Sequence, residues 1–226
     1  GLGRTDSSIP ESFSYYDQVL DAAVTVGAIP SRFASLVDVN GGVDLAGYFT
    51  GATGSMFYSG DAWPEEYKKS IFTGDVSGNL VRRDIIEPDG VTFKASPAPK
   101  TASGKVEFLA STDQWFRPTN FANAPDGNLY MMDMQREIIE TPVSIPEELR
   151  KKLDFLKGDN IGRIYRIVSN QPRTKRGLKV NLGDQSSAEL VKLLENANGW
   201  HRETAHRLLY ERQDKSVVPQ LKDVAL

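Results

Sequence analysis

From Gly47 to about Ala110 the chain passes between apolar and polar residues in short runs, each closed by residues that turn a backbone. Gly54-Ser55-Met56-Phe57-Tyr58 precedes Ser59-Gly60-Asp61, and Ser70-Ile71-Phe72-Thr73-Gly74-Asp75 precedes Val76-Ser77-Gly78. Asn79-Leu80-Val81-Arg82-Arg83-Asp84-Ile85-Ile86 then runs toward Pro88-Asp89-Gly90 and a loop from Ser96 to Gly104. Alternation with a period near two, bounded by Gly, Ser, Asp and Pro, predicts short strands joined by turns. The same order recurs downstream. An extended stretch from Trp115 enters a tight Asp126-Gly127 turn and leaves along Leu129-Tyr130-Met131-Met132-Asp133, the local signature of a β-hairpin. Two imperfect copies of one β unit are what propeller blades would leave in a sequence. Between the strands, Pro64-Glu65-Glu66-Tyr67-Lys68 predicts one helical turn with Pro at a tolerated first position.

Two segments break this rhythm. Residues 1–46 place Pro10, Pro30 and Gly41-Gly42 among their apolar groups and read as irregular chain with short strands. Residues 134–160 read as an insertion, with Pro146 and its acids opening a short surface helix over Ile145 to Leu153. Gly162 to Val168 resumes the β pattern, which makes 47–170 the propeller portion. A basic linker, 171–185, follows, and near Ser186 the period lengthens to about 3.6. Ser186 with Glu189 matches a capping box, and Leu190, Leu193, Leu194 and Ala197 form one stripe before Asn198-Gly199, which reads as the helix end. Trp200, Thr204, Leu208 and Leu209 form a second stripe, and Val217 to Leu221 opens a third helix. Residues 186–226 therefore read as the start of an α-solenoid, so that the fold class is mainly β with C-terminal α.

Composition narrows the functions. Hydrophobic residues make up 39% of the 226, enough for a packed core, and a net charge of -3 gives nucleic-acid phosphates no general attraction. With no cysteine there is no disulfide, thiolate metal site, thiol nucleophile or Cys-x-x-Cys-His haem attachment in these residues. No apolar run approaches the roughly 18 residues of a membrane helix. The first residues, Gly1-Leu2-Gly3-Arg4-Thr5-Asp6, lack an initiator Met and a targeting segment and read as those of a processed or excised piece. Two blades cannot close a ring, so the remaining blades are expected from elsewhere in the polypeptide or from a companion chain.

Gly54 to Ile86, with its Phe57-Tyr58-Ser59-Gly60-Asp61, Pro64-Glu65-Glu66-Tyr67 and Asn79-Leu80-Val81, resembles the penultimate blade of a sorbosone or glucose dehydrogenase-like β-propeller. Phe108 to Pro118, Pro125 to Asp133, Arg136-Glu137 and Gly162-Arg163-Ile164-Tyr165-Arg166 resemble more closely the membrane-bound dehydrogenases with haem-binding tails of planctomycetes and verrucomicrobia. Asn198-Gly199-Trp200-His201-Arg202-Glu203-Thr204-Ala205 is similar to the first HEAT-type repeat that follows the propeller there. The resemblance covers roughly residues 46–226. It implies the last blades of a six-bladed propeller followed by HEAT-like repeats, in an exported protein, periplasmic, secreted or membrane-associated. It further implies a sugar or alcohol substrate, pyrroloquinoline quinone (PQQ) and calcium as cofactors, and electrons passed to haem c on another domain or on a c-type cytochrome. The alternative reading is a non-catalytic propeller and HEAT module that binds carbohydrate or protein.

Candidate residues follow from loop position. Loops entering and leaving inner strands ring a propeller's channel, so Arg117 and Arg136 would face an anionic cofactor such as a quinone carboxylate, with Asn120 beside them. The structural alternative has Arg117, Asp133, Arg136 and Glu137 pairing with each other or with backbone carbonyls. Asp75 and Asp133 each follow a strand at equivalent points; as a pair they would bind a hard cation such as calcium, and singly each would cap a turn. His201 and His206 are the two histidines, about 140° apart on a helix and so badly placed to share a metal. A hydride-abstracting base, usually His, would therefore lie on another blade. Arg82-Arg83 and Arg173, Lys175 and Arg176 read as solvated positive groups, and Trp63, Trp115 and Trp200 read as core residues or as platforms for a sugar ring.

Overall fold

The computed structural model describes residues 51–98, 107–139, 141–170 and 180–225. The irregular segment 1–46 and the linker cations Arg173, Lys175 and Arg176 lie outside the described residues. The chain is mainly β with C-terminal helices. One antiparallel sheet runs β1 (Ala52–Phe57), β2 (Ser70–Asp75), β3 (Leu80–Asp89), β4 (Thr92–Pro97), with β5 (Leu109–Ala110) also paired to β3. A second sheet runs β6 (Pro118–Asn123), β7 (Leu129–Asp133), β8 (Arg163–Ile167). Among the described residues both sheets are open.

The described residues fall into two compact units, one within Gly1–Met56, Ile71–Phe121 and Met131–Tyr165, the other within Phe57–Ser70, Ala122–Tyr130 and Arg166–Leu226. In the first, Phe72, Val81, Phe116 and Met131 are fully buried. Removing a side chain of this size from water contributes about 1.5–3 kcal/mol. The Phe72 and Phe108 rings meet with centroids 4.5 Å apart. β3 runs further than its sequence suggests: Pro88 and Asp89 stay in register opposite Phe93 and Thr92, and the turn falls on Gly90-Val91, where Gly90 has φ 61°. A proline is tolerated there because its missing N–H sits at the exposed end of the ladder.

The insertion is less helical than its pattern. Pro146 leads into α1 (Glu147–Arg150), a single turn, where the expectation ran to Leu153. Glu65–Tyr67 forms the anticipated turn after Pro64, as a 3-10 helix.

In the second unit, α2 (Ser187–Leu193) begins on the anticipated capping box: Glu189 N–H donates to Ser186 Oγ at 3.3 Å, and Ser186 N–H donates to Glu189 Oε2 at 2.7 Å. α3 (Gly199–Arg212) and α4 (Val218–Ala225) follow. Leu182, Leu190 and Ala205 form the core of the helices, flanked by Leu193, Leu194, Trp200, Leu208 and Leu209. One expectation needs correction. Asn198-Gly199 does not end α2, which stops at Leu194; it starts α3, because the Asn198 Oδ1 accepts the Trp200 N–H at 3.0 Å and so caps the new helix. No described helix is long and apolar enough to cross a membrane.

Candidate functional site

The two strand pairs β1-β2 and β6-β7 close on an aspartate by the same set of hydrogen bonds. The residue before the first strand donates its N–H to the aspartate Oδ1: Gly51 to Asp75 at 3.2 Å, Arg117 to Asp133 at 2.8 Å. The residue after the aspartate returns its own N–H to that carbonyl: Val76 to Gly51 O at 3.1 Å, Met134 to Arg117 O at 2.9 Å. Two residues past the aspartate, the N–H of Ser77 or of Gln135 donates to the same Oδ1 at 2.9 Å. Three bonds repeated at matching positions mark Asp75 and Asp133 as copies of one structural device. Each carboxylate holds amides that a strand end would otherwise leave unsatisfied.

Arg117 is 9% exposed, and its guanidinium is turned to the chain itself. Nε donates to Arg136 O at 2.9 Å, Nη1 to Val76 O at 2.6 Å and Nη2 to Glu137 O at 3.0 Å. Val76 belongs to the first aspartate closure and Arg136 and Glu137 follow the second, so one side chain ties the two together. Arg136 donates through Nη1 to Leu156 O at 3.2 Å, and Asn120 is exposed, its Oδ1 accepting the adjacent Phe121 N–H at 2.8 Å. Three of the five guanidinium N–H groups of Arg117 are thus committed to backbone carbonyls, the arrangement that the structural alternative anticipates.

Other candidates take structural places. Arg82 Nε pairs with Asp84 Oδ1 at 3.0 Å. Trp63 is buried, stacked on Tyr58 with centroids 4.4 Å apart, and its indole N–H donates to Asn128 Oδ1 at 3.2 Å. The Tyr58 hydroxyl donates to Gly127 O at 2.7 Å and accepts the Trp63 N–H at 3.0 Å; burial pushes its phenol far above the ordinary range. Trp115 carries the Lys157 ammonium 5.1 Å from its ring centroid, while Lys157 also pairs with Glu137 at 2.7 Å. Trp200 meets His201 edge-on, and the His201 Nε2 lies 3.0 Å from Pro125 O, whereas His206 is exposed. Among the described residues no three of His, Cys, Asp and Glu converge on a metal position. Sequence reasoning missed Gln135, whose signal was its place two residues beyond the strand-closing Asp133.

Asp126 accepts the Asn128 N–H at 3.1 Å and pairs with Arg166 Nε at 2.5 Å. Partial burial pushes its carboxyl up, but the bonds from Asn128 and the nearby Arg166 charge outweigh burial and hold it below the usual carboxylate range. Its contribution to stability is complete above the unfolded-chain value of about 3.9 and is lost as pH falls through the lower folded value. Melting curves of the protein and of Arg166→Met, taken between about pH 7 and pH 2.5, are expected to differ most near neutrality and to converge in acid. A constant difference would show that the pair does not set the acid limb.

Residues 10–171 match the model of a family described as a domain of unknown function, DUF7133. A stretch of 44 residues is 52% identical to part of the 5-methyltetrahydropteroyltriglutamate–homocysteine methyltransferase of Flavobacterium johnsoniae, covering 20% of this chain and 5% of that protein. The chain thus spans about a twentieth of the curated relative it matches. No solved structure matches it. With the family model covering most of its length, and both aspartate-closed strand pairs inside the matched residues, the chain belongs to the DUF7133 family.

Proposed function

We propose that this chain is the C-terminal part of an exported sugar- or alcohol-dehydrogenase-like β-propeller, quinone-linked and passing electrons to a haem domain or partner, in which the described residues brace the blades and do not meet substrate. One observation carries the bracing role: the Arg117 guanidinium is bound to three backbone carbonyls, that of Val76 in the first aspartate closure and those of Arg136 and Glu137 just after the second. The repeated closure supports successive blades, and the pairing of α2 with α3 around Leu190 and Ala205 supports a HEAT-like start. Neither histidine falls in the β portion, so a general base is supplied by residues outside this sheet region. The second reading, a propeller and HEAT module that binds carbohydrate or protein without turnover, is favoured by the same inward-turned Arg117.

A dye-linked oxidation assay on the full-length protein, with sugars and alcohols and with or without PQQ and calcium, tests this. Quinone-dependent dye reduction is expected, and Arg117→Lys is expected to lower the melting temperature while leaving KM unchanged. Absence of turnover with every substrate, alongside retained carbohydrate binding, would replace the dehydrogenase reading with the binding one. A raised KM in Arg117→Lys would return that residue to the substrate or cofactor.

A further inference from the structure

The second aspartate closure is incomplete in a way that has chemical meaning. Asp133 is 2% exposed and Gln135 is 3% exposed, yet Asp133 Oδ2 and Gln135 Oε1 have no hydrogen-bond partner among the described residues. Both atoms are acceptors, one of them on a carboxylate. Burying a carboxylate oxygen without a donor or a cation is costly, and such a group is expected to be paired or metal-bound. Asp133 makes no ion pair among the described residues. Arg163 lies within electrostatic reach of Asp133 and of Asp113, but its guanidinium is exposed and bonded to the Tyr165 hydroxyl at 3.2 Å.

The orientation of the Gln135 amide is set by its neighbour. Its Nε2 donates to Asp113 Oδ2 at 3.1 Å. Turning the amide round would set Oε1 against that carboxylate, so the amide oxygen is held facing inward. The Gln135 N–H already donates to Asp133 Oδ1, which ties both residues into one turn. Gln135 has φ 50°, a left-handed backbone that a glutamine keeps only where its surroundings demand it.

We propose that Asp133 Oδ2 and Gln135 Oε1 hold a single hard cation of the calcium type, with Asp113 at the exposed rim orienting the glutamine amide. Oxygen donors, one charged and one neutral, suit such an ion, whose remaining positions water and backbone carbonyls fill. This site differs from the pair of Asp75 and Asp133: Asp75 Oδ1 already accepts from Gly51, Ser77 and Gly78. It is also independent of any quinone and of the dehydrogenase reading. With a single carboxylate among its side-chain donors, it falls in the weak class, with a dissociation constant of about 0.1–1 mM.

The test is a calcium titration of the chelator-treated full-length protein, read as melting temperature and, in parallel, as terbium luminescence excited through tryptophan. The Trp115 indole is well placed to sensitise it: a Cβ at Gly158 would lie 3.0 Å from that ring and 2.9 Å from Gln135 O. A saturable rise in melting temperature and terbium emission displaced by calcium are expected. Asp133→Asn keeps the Oδ1 acceptor and is expected to fold while weakening calcium at least about tenfold; Gln135→Met, which removes the amide oxygen, is expected to weaken it as well. A protein unresponsive to both ions, or a response undiminished in Asp133→Asn and in Gln135→Met, would overturn the proposal.

Discussion

Gly60→Ala is expected to cost about 3–5 kcal/mol of folding stability, at the upper end of what one added methyl does. A Cβ at position 60 would lie 2.1 Å from Gly127 O and 2.7 Å from the Tyr58 ring, one a backbone atom and the other a fully buried side chain. Neither can swing aside. Gly127 O is moreover the acceptor for the Tyr58 hydroxyl at 2.7 Å and for the Ala62 N–H at 3.3 Å, so displacing it breaks both bonds and leaves buried polar groups unpaired. Gly127 itself sits at φ 77°, in the left-handed region, and has little freedom to retreat. Gly162→Ala is the matched control, since a Cβ there would find its nearest neighbour at 3.6 Å, an ordinary contact, and is expected to change stability by less than about 0.5 kcal/mol. Urea unfolding of the two variants measures the difference. Equal midpoints would show that the 57–63 segment and the 124–128 turn are not in the contact described.

Arg117→Met is expected to cost about 2–4 kcal/mol, the range for removing a buried charged donor from several acceptors. Met keeps the apolar stem, so the loss isolates the guanidinium and not the packing of its methylenes. The carbonyls of Val76, Arg136 and Glu137 would each lose a donor, and none of the three residues lies in a strand. Arg117→Lys would recover part of the loss, because an ammonium is a compact charge that cannot reach three divergent carbonyls as a planar fork does. Denaturant midpoints of wild type, Lys and Met variants should therefore fall in that order. A Met variant as stable as wild type, with unchanged slope, would free Arg117 from the bracing role.

The strands were legible because their period of two is local and the residues that end them carry turn chemistry of their own. The capping box at Ser186 was legible for the same reason: two side chains three residues apart contain the whole interaction. Asn198-Gly199 misled because the same dipeptide serves a helix end and a helix start, and only the position of Leu194 as the C-cap of α2 decides between them. Asp75 and Asp133 could be found as a pair, each following a strand, but what they hold comes partly from residues 24 and 16 positions away. Arg117 was visible as a cation on a loop. Its orientation was not, because its three acceptors stand 19, 41 and 20 residues distant and no local pattern encodes them. Gln135 carried no signal that separates a fully bonded amide from one with an oxygen left over.

The start of α3 is sewn to the Ala124-Pro125 corner. Asn198 Nδ2 donates to Ala124 O at 3.0 Å and to Pro125 O at 3.1 Å, and the Gly199 N–H donates to Ser59 O at 2.7 Å. The Asn198 side chain thus serves the cap of the helix and the hairpin corner at once, so that losing its amide would loosen both.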